Sequence, residues 1–363
     1  MSARAFDLVR RRLRQQRLVG GAFTTAEEAV GALVAVQAQD YLGALWAVGL
    51  RMRDADEAEI ERALAERRIV RTWPLRGTLH FVAATDVRWL LELATPRVLQ
   101  KNARRLRDEF GVDDKVCARA RAVVERVLGG GRALTRDALY AALDAARIDT
   151  AGQRGLHILW CLAQRGVLCF GARAGRQQTF VLLDEWLPPM RRLARDEALA
   201  ELARRYFASR GPATLRDFAW WSGLAPADAA SALASVREGL ERTAIDGRDY
   251  WHVPAAAPRR SAATRVHLLP AYDEYTVAYQ DRSAALDPAH AARAGNGIFK
   301  PALLVDGRIG GIWKRALAKD AVTVSPELFV RATPALHAAI AAEAQRYAAF
   351  LQRRCVVARS PGT

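Results

Sequence analysis

Apolar residues in this chain fall at helical spacing, fall at helical spacing again, then alternate in two short runs around a turn. The sequence repeats that order three times. The middle copy is the clearest. "LTRDALYAALDAARI" opens on Thr135, a favoured N-cap type, and lines up Leu139, Ala142 and Leu143 on one face. "TAGQRGLHILWCLAQRG" follows, with Leu156, Leu159, Trp160 and Ala163 at helical spacing and Gly166 as a stop. "VLCF" and "TFVLL" then read as strands around the Gly/Arg-rich turn "GARAGRQQ". The third copy is "ATLRDFAWWSGL", "APADAASALASVREG", then "LERTAI" and "RDYWHV" around Asp246-Gly247, a strong hairpin signal. The first copy is "TTAEEAVGALVAVQAQ", a helix in "DEAEIERALAERR", and "IVRTWPLRGTLHFV" as the hairpin; Thr25 and Glu28 have capping-box spacing.

Helix, helix, hairpin is the plan of a winged helix, whose second helix enters a groove while the wing touches backbone. From about Pro254 the texture changes. "PAAAPRRSAATR" reads as a linker, and "VHLLPAYDEYTVAYQ", "KPALLVDGRIGGIWKR" and "AVTVSPELF" read as strands with turns. A last amphipathic helix, near 335–352, carries Leu336, Ile340, Tyr347 and Leu351 inward. The expected fold class is therefore α+β: three tandem winged-helix domains (1–112, 113–190 and 191–256) followed by a small C-terminal β-barrel-like domain (257–363) closed by a helix.

Charge sharpens this picture. The 363 residues carry a formal net charge of +16, and of 55 basic residues only five are lysine. A GC-rich genome accounts for most of the preference for Arg over Lys, but not for an excess of positive charge, which points to a polyanion such as nucleic acid. A generically basic protein is the plainer alternative. The four cysteines (Cys117, Cys161, Cys169, Cys355) form no CxxC pair and read as reduced core thiols. The basic N-terminus lacks the apolar run of a secretory signal, and no run approaches the roughly 20 residues of a membrane span. Hence the expectation of a cytoplasmic, nucleoid-associated monomer with no membrane partner.

The usual chemical motifs are missing: GxGxxG, the P-loop, HExxH and GxSxG. The six histidines are dispersed, with His157 read as a packed or surface residue, so no metal and no cofactor is expected. None of the five lysines marks a nucleophile. What remains is "VAVQAQDYLGALW", with Gln37 and Gln39 at the end of an apolar helix. Gln37 continues the inward stripe of Val30, Leu33 and Val34, and a buried amide without partners costs roughly 1–3 kcal/mol. Gln39 reaches the same side only if the helix ends near Val36–Ala38 and the chain extends, because residues two apart then share a face. On these residues alone two readings stand: a working amide pair, or two amides that hold a loop by capping helix carbonyls.

At this point "VQAQDYLGALWAVGLRM", "RTWPLRGTLHFVAATD", "LLPAYDEYTVAYQDR" and "LLVDGRIGGIWKR" together resemble the AlkZ-like family of bacterial winged-helix DNA glycosylases, over nearly the whole chain and in the family's order. The resemblance implies three winged helices and a β-barrel wrapped as a C-shaped channel for DNA. It also implies excision of N-alkylated purines, with interstrand cross-links among the substrates of some members. The family's Gln-x-Gln motif would fall on Gln37 and Gln39 as catalytic residues, with the hairpin "RTWPLRGTLHFV" (Arg71–Val82) near the lesion.

The chemistry suits an amide pair. A cationic base such as 7-alkylguanine or 3-alkyladenine is already a good leaving group, so the enzyme needs only to place a water and stabilise an oxocarbenium-like sugar. A glutamine carbonyl can do both without being a strong base. Asp40 is the one nearby real base, and reads more readily as a turn or helix cap. Arg71, Arg76 and His80 on the hairpin are the candidates for DNA contact, and Trp46 and Trp73 read as core. The expectation is a monofunctional DNA glycosylase acting on duplex DNA with alkylated purines. The alternative is a non-catalytic winged-helix regulator. An RNA-binding role has no supporting feature.

Overall fold

In a computed structural model the described residues are 3–188, 191–255 and 264–358, so most of the expected linker lies outside them. They form two compact units. One comprises the chain up to Glu61, Ala200–Trp221 and the chain from Ala225 onward; the other comprises Arg62–Leu199 and Ser222–Leu224.

The second unit contains the first hairpin and the middle copy. Strands Ile69–Leu75 and Thr78–Ala83 pair antiparallel. The register slips between Thr72 and Leu75, where Pro74 has no N–H to give to a ladder. Arg76 and Gly77 turn the corner with φ of 54° and 73°, the backbone a two-residue hairpin turn demands. In the middle copy Thr135 caps helix Arg136–Ala145 as expected, its hydroxyl accepting from Ala138 N at 3.3 Å. Helix Arg154–Gln164 and strands Leu168–Phe170 and Thr179–Leu182 follow. A short strand, Leu134–Thr135, adds to the hairpin so that Thr179–Leu182 lies in the middle of three. One face assignment is corrected. Leu156 is 45% exposed, because it lies in the first turn of its helix, and the buried face is built from Ile158, Leu159 and Leu162. Two further helices, Val87–Phe110 and Asp114–Leu128, pack in this unit.

The first unit holds the third copy and the C-terminal sheet. Helices Leu215–Ser222 and Pro226–Val236 lead to strands Glu241–Ile245 and Arg248–His252, joined through Asp246-Gly247 as expected. The C-terminal part is an open sheet of five strands, in the order Arg354–Val357, Ala321–Leu328, Arg308–Leu317, Ala302–Val305, Val266–Leu269. Its two end strands do not pair with each other, so the expected barrel is only half formed. In "VHLLPAYDEYTVAYQ" only Val266–Leu269 is strand. Pro270 stops the ladder, and Asp273 caps a helical turn, Glu274–Val277, by accepting from Tyr275 N at 2.8 Å.

Helix Pro334–Phe350 covers the sheet, with Leu336, Ile340 and Tyr347 buried and Leu351 only partly so. It also locks helix Tyr41–Gly49. The Trp46 ring meets Tyr347 at 4.9 Å and Phe350 at 5.1 Å, and its Nε1 donates to Leu268 O at 2.7 Å. Gly49 permits that approach, since a Cβ there would stand 2.5 Å from the Phe350 ring. No described helix is long and apolar enough to cross a membrane.

Glu343 faces inward on the same covering helix. Burial pushes its carboxyl up to about 7, against the opposing pull of Arg346 and of a backbone hydrogen bond from Leu268. The folded chain therefore keeps this proton to a higher pH than the unfolded chain, whose carboxyl releases it near 4.5. The stability so gained is complete below that value and is lost as pH rises through 7. Thermal unfolding from pH 4 to 8 should show the wild type losing about 2–3 kcal/mol relative to Glu343→Gln across that window. Parallel curves for the two proteins would remove Glu343 as the cause.

Candidate active site

The segment that carries Gln37 and Gln39 begins where helix Ala26–Leu33 is cut short. Thr25 and Glu28 form the expected capping box at its start. At its end Val34 has φ 65° and ψ −50°, and Ala35 N donates to Leu33 O at 2.7 Å. That is the strained, positive-φ form of the γ-turn, on a β-branched residue that rarely accepts such a backbone. Strain of this kind costs on the order of 1–3 kcal/mol and persists only where the surroundings hold it. The helix thus breaks, as the amide pair requires, but earlier than the expected Val36–Ala38. The chain runs extended through Val36–Gln37 and re-enters a helix at Tyr41. Ala35, Val36 and Ala38 are fully buried, Gln37 is 8% exposed and Gln39 is exposed. The inward place of Gln37 is therefore a property of an extended chain, because the helical stripe that suggested it has already ended.

Two buried ion pairs flank this segment. Glu274 Oε1 accepts from the backbone N–H of Gln37 at 2.9 Å. Its Oε2 accepts from Arg210 Nη2 at 2.6 Å and from Trp221 Nε1 at 2.9 Å. Arg210 Nη2 donates in addition to the carbonyl of Ala35 at 3.1 Å, and the guanidinium lies 4.2 Å over the Trp221 ring. Next to Glu274, Asp273 receives both arms of Arg51 at 2.9 Å. All four charged side chains are fully buried. Gln16 links the pairs: its Oε1 accepts from Arg51 Nη2 at 2.9 Å, and its Nε2 donates to the Glu274 carbonyl at 3.2 Å. Burial alone would pull Arg51 down, but the Asp273 charge overrides it and holds the guanidinium above its ordinary range.

Asp40 is a cap. It starts helix Tyr41–Gly49, accepting from Gly43 N at 3.1 Å, and both its oxygens are within 3.3 Å of Arg315 Nη2. Arg315 Nη1 donates on to the Tyr347 hydroxyl at 3.2 Å.

In the other unit, the hairpin residues chosen for DNA contact fall into two groups. Arg71 is 7% exposed, with its guanidinium 4.8 Å from the Phe170 ring, and His80 is fully buried. His80 Nδ1 lies 2.9 Å from the Thr78 carbonyl and Nε2 lies 3.4 Å from Arg76 Nη2, which fits an Nδ1–H tautomer. Arg76 alone sits at the turn and keeps part of its surface open. The turn is fixed by Trp160, whose Nε1 donates to Gly77 O at 3.0 Å. Trp73 is core, as expected, and its carbonyl accepts from Gln164 Nε2 at 3.0 Å.

A family model described as DNA glycosylase AlkZ-like matches residues 30–350, which spans both glutamines, the hairpin and four of the five strands of the C-terminal sheet. The chain belongs to the AlkZ-like DNA glycosylase family. It is 27% identical over 340 residues to a Streptomyces sahachiroi protein named interstrand DNA cross-link repair glycosylase, covering 87% of this chain and 89% of that one. It also matches the solved structure of Streptomyces sahachiroi DNA glycosylase AlkZ with a TM-score of 0.78 and 25% identity, over 99% of this chain and 100% of that one. As an AlkZ-like protein it is a DNA glycosylase.

Reading the sequence for chemistry missed Glu274, Asp273, Arg51 and Arg210. Two signals were there to find. The acidic pair in "LLPAYDEYTV" and the arginine in "LWAVGLRM" each sit in apolar runs, and a charge in such a place needs an opposite charge elsewhere.

Because Asp40 acts as a cap, Asp40→Asn should keep the hydrogen bond to Gly43 N and hold base excision within about threefold of wild type, whereas Asp40→Ala should cost about 1 kcal/mol of stability. A drop of 100-fold or more in Asp40→Asn with an unchanged melting temperature would make Asp40 a base instead.

Proposed function

We propose that this chain hydrolyses the N-glycosidic bond of cationic N-alkylated purines in duplex DNA, 7-alkylguanine and 3-alkyladenine above all, and unhooks interstrand cross-links built on such bases. The observation that carries this reading is the broken, clamped Gln37–Gln39 segment in a chain of a DNA glycosylase family. The cross-link substrate is supported by the Streptomyces sahachiroi relative, which is named an interstrand DNA cross-link repair glycosylase.

The base already carries a positive charge, so the C1′–N bond breaks with its electron pair going to the base, which leaves neutral. The sugar becomes oxocarbenium-like, and a water oxygen bonds to C1′ and loses a proton to solvent. Gln37 and Gln39 offer carbonyl oxygens that accept from that water and turn negative dipole ends toward the sugar. Neither can protonate a leaving base, so neutral lesions such as uracil should stay in place. Water is the nucleophile in this step and no covalent enzyme–sugar intermediate forms, which is the reaction of a monofunctional glycosylase.

The three helix–helix–hairpin copies are read as winged helices, arranged over segments 1–112, 113–190 and 191–256, with 257–363 as the sheet domain. Among the hairpin residues, partial exposure favours Arg76 for direct phosphate contact, with His80 setting its guanidinium and Arg71 supporting the strand behind it. Neutralisation of phosphates by a chain of +16 suits a monomer that acts on the nucleoid.

Incubation with duplex DNA bearing one 7-methylguanine, read out as abasic sites, tests the reaction. Wild-type release should exceed that of Gln37→Ala/Gln39→Ala by at least about 100-fold, the scale of removing a stabiliser of transition-state charge. Equal release by the two proteins would falsify the assignment. For the contact residue, Arg76→Gln should weaken duplex binding about three- to tenfold and shallow its salt dependence by about one ion. An unchanged salt slope would take Arg76 out of the interface.

A further inference from the structure

We propose that the buried Glu274–Arg210 pair is a positioning device for catalysis: it fixes the backbone on both sides of Val36 and so sets where the Gln37 amide stands. This rests on the reading of Gln37 and Gln39 given above. The two charges reach the segment at two atoms. Glu274 Oε1 takes the N–H of Gln37, and Arg210 takes the C=O of Ala35, while the same arginine nitrogen is bonded to Glu274 Oε2. One carboxylate and one guanidinium thus form a closed frame around two consecutive peptide groups.

The frame is itself held. Trp221 Nε1 donates to Glu274 Oε2, and Ser209 Oγ accepts from Arg210 Nη1 at 2.8 Å. The Arg210 carbonyl accepts from the Tyr279 hydroxyl at 2.8 Å, and the Glu274 carbonyl accepts from Gln16. Glu274 also begins a helical turn whose cap, Asp273, is locked by Arg51.

A buried ion pair is a poor stabiliser in itself, since apolar residues of the same volume commonly do as well. What apolar residues could not supply is a pair of directed hydrogen bonds to this one segment. The segment needs them, because the turn at Val34 that leads into it is strained. Glutamine is a weak catalytic group whose effect depends on where its oxygen stands, and a misplacement of about 1 Å can cost about 100-fold in rate.

The test removes both charges together, so that neither is left buried alone. Arg210→Met/Glu274→Leu should fold, bind the 7-methylguanine duplex within about threefold of wild type, and excise about 100-fold more slowly in single turnover. Arg210→Met/Glu274→Gln returns an acceptor to the Gln37 N–H and should recover to within about tenfold of wild type. Amide exchange in the peptide spanning residues 34–40 should speed up in the Leu variant and not in the Gln variant, a readout that needs no activity. Adding Gln37→Ala to the Leu variant should slow it by less than about threefold more, as expected of residues that act as one unit.

A wild-type excision rate in the Leu variant, a rate loss matched by lost DNA affinity, or fully multiplicative losses with Gln37→Ala would each overturn the proposal. Should the Leu variant not fold, Glu274→Asp keeps both charges with a shorter reach. It should then lose about tenfold in rate at wild-type affinity, and no loss overturns the proposal. Gln37→Ala/Gln39→Ala runs alongside. A wild-type rate there overturns the parent reading and this proposal with it. Loss there beside a wild-type rate in the Leu variant overturns this proposal alone.

Discussion

Two carboxylates on consecutive residues, Asp273 and Glu274, are buried with no access to water, and that fact organises the first unit. A buried carboxylate costs a great deal unless an opposite charge is paired with it, and two adjacent ones need two. The chain meets the demand with Arg51 from its beginning and Arg210 from its middle, so segments more than 200 positions apart (and, for Glu274, 64) must meet at one loop. Once they have met, the Glu274–Arg210 pair hydrogen-bonds both the Gln37 N–H and the Ala35 carbonyl. Removing any one of the four would leave a charge stranded in the interior, which typically costs 3–5 kcal/mol. A second anchor is aromatic. Trp46 and Trp313 donate to the carbonyls of Leu268 and Leu269, at the end of the strand that runs into the acidic pair.

Local signals were legible in the sequence, and long-range ones were not. The Thr25 and Thr135 caps, the Asp246-Gly247 turn and all three hairpins could be read because each is decided by a few neighbouring residues. The helices Val87–Phe110, Asp114–Leu128 and Arg195–Arg210 lie outside the repeated helix, helix, hairpin order and were not read from it, although the second and third bury apolar residues at helical spacing, Cys117, Ala120, Val124 and Leu128 in one and Leu199, Leu202, Ala203 and Tyr206 in the other. The edge strand Arg354–Val357 also escaped, since it pairs parallel to a strand distant in sequence and has no turn to announce it. The half-formed barrel is of the same kind: closure depends on whether the two end strands meet, and no local pattern encodes that.

The candidate site divides along the same line. Gln37 and Gln39 stood out because neutral amides are costly in an apolar run. Gln37 does lie inward, but on an extended segment and not on a helical stripe, since the helix ends at Leu33. The γ-turn at Val34 had no signal, because valine is among the last residues one would place at positive φ. Arg71 and His80 were chosen for their chemistry on a hairpin, but every residue of Ile69–Leu75 is buried, and Arg71, paired with Phe81, and His80, paired with Thr72, lie on opposite faces that are both covered.

This division bears on the proposed reaction. Two amides at one motif have unequal surroundings: Gln37 is nearly covered and its backbone is bonded to a buried carboxylate, whereas Gln39 is exposed beside a capped helix. A buried amide has little freedom and cannot be solvated away from its partners, which suits the part of an oriented dipole. An exposed amide can keep a water from solvent within reach, which suits the part of a water holder. A cationic leaving base asks for both parts and for no acid. A neutral base would ask for a proton donor as well, and the carboxyls described beside the motif are already committed, Asp40 to Gly43 and Arg315 and Glu274 to the Gln37 N–H, Arg210 and Trp221. In the proposed reaction, two amides that orient a dipole and hold a water favour a base that brings its own positive charge.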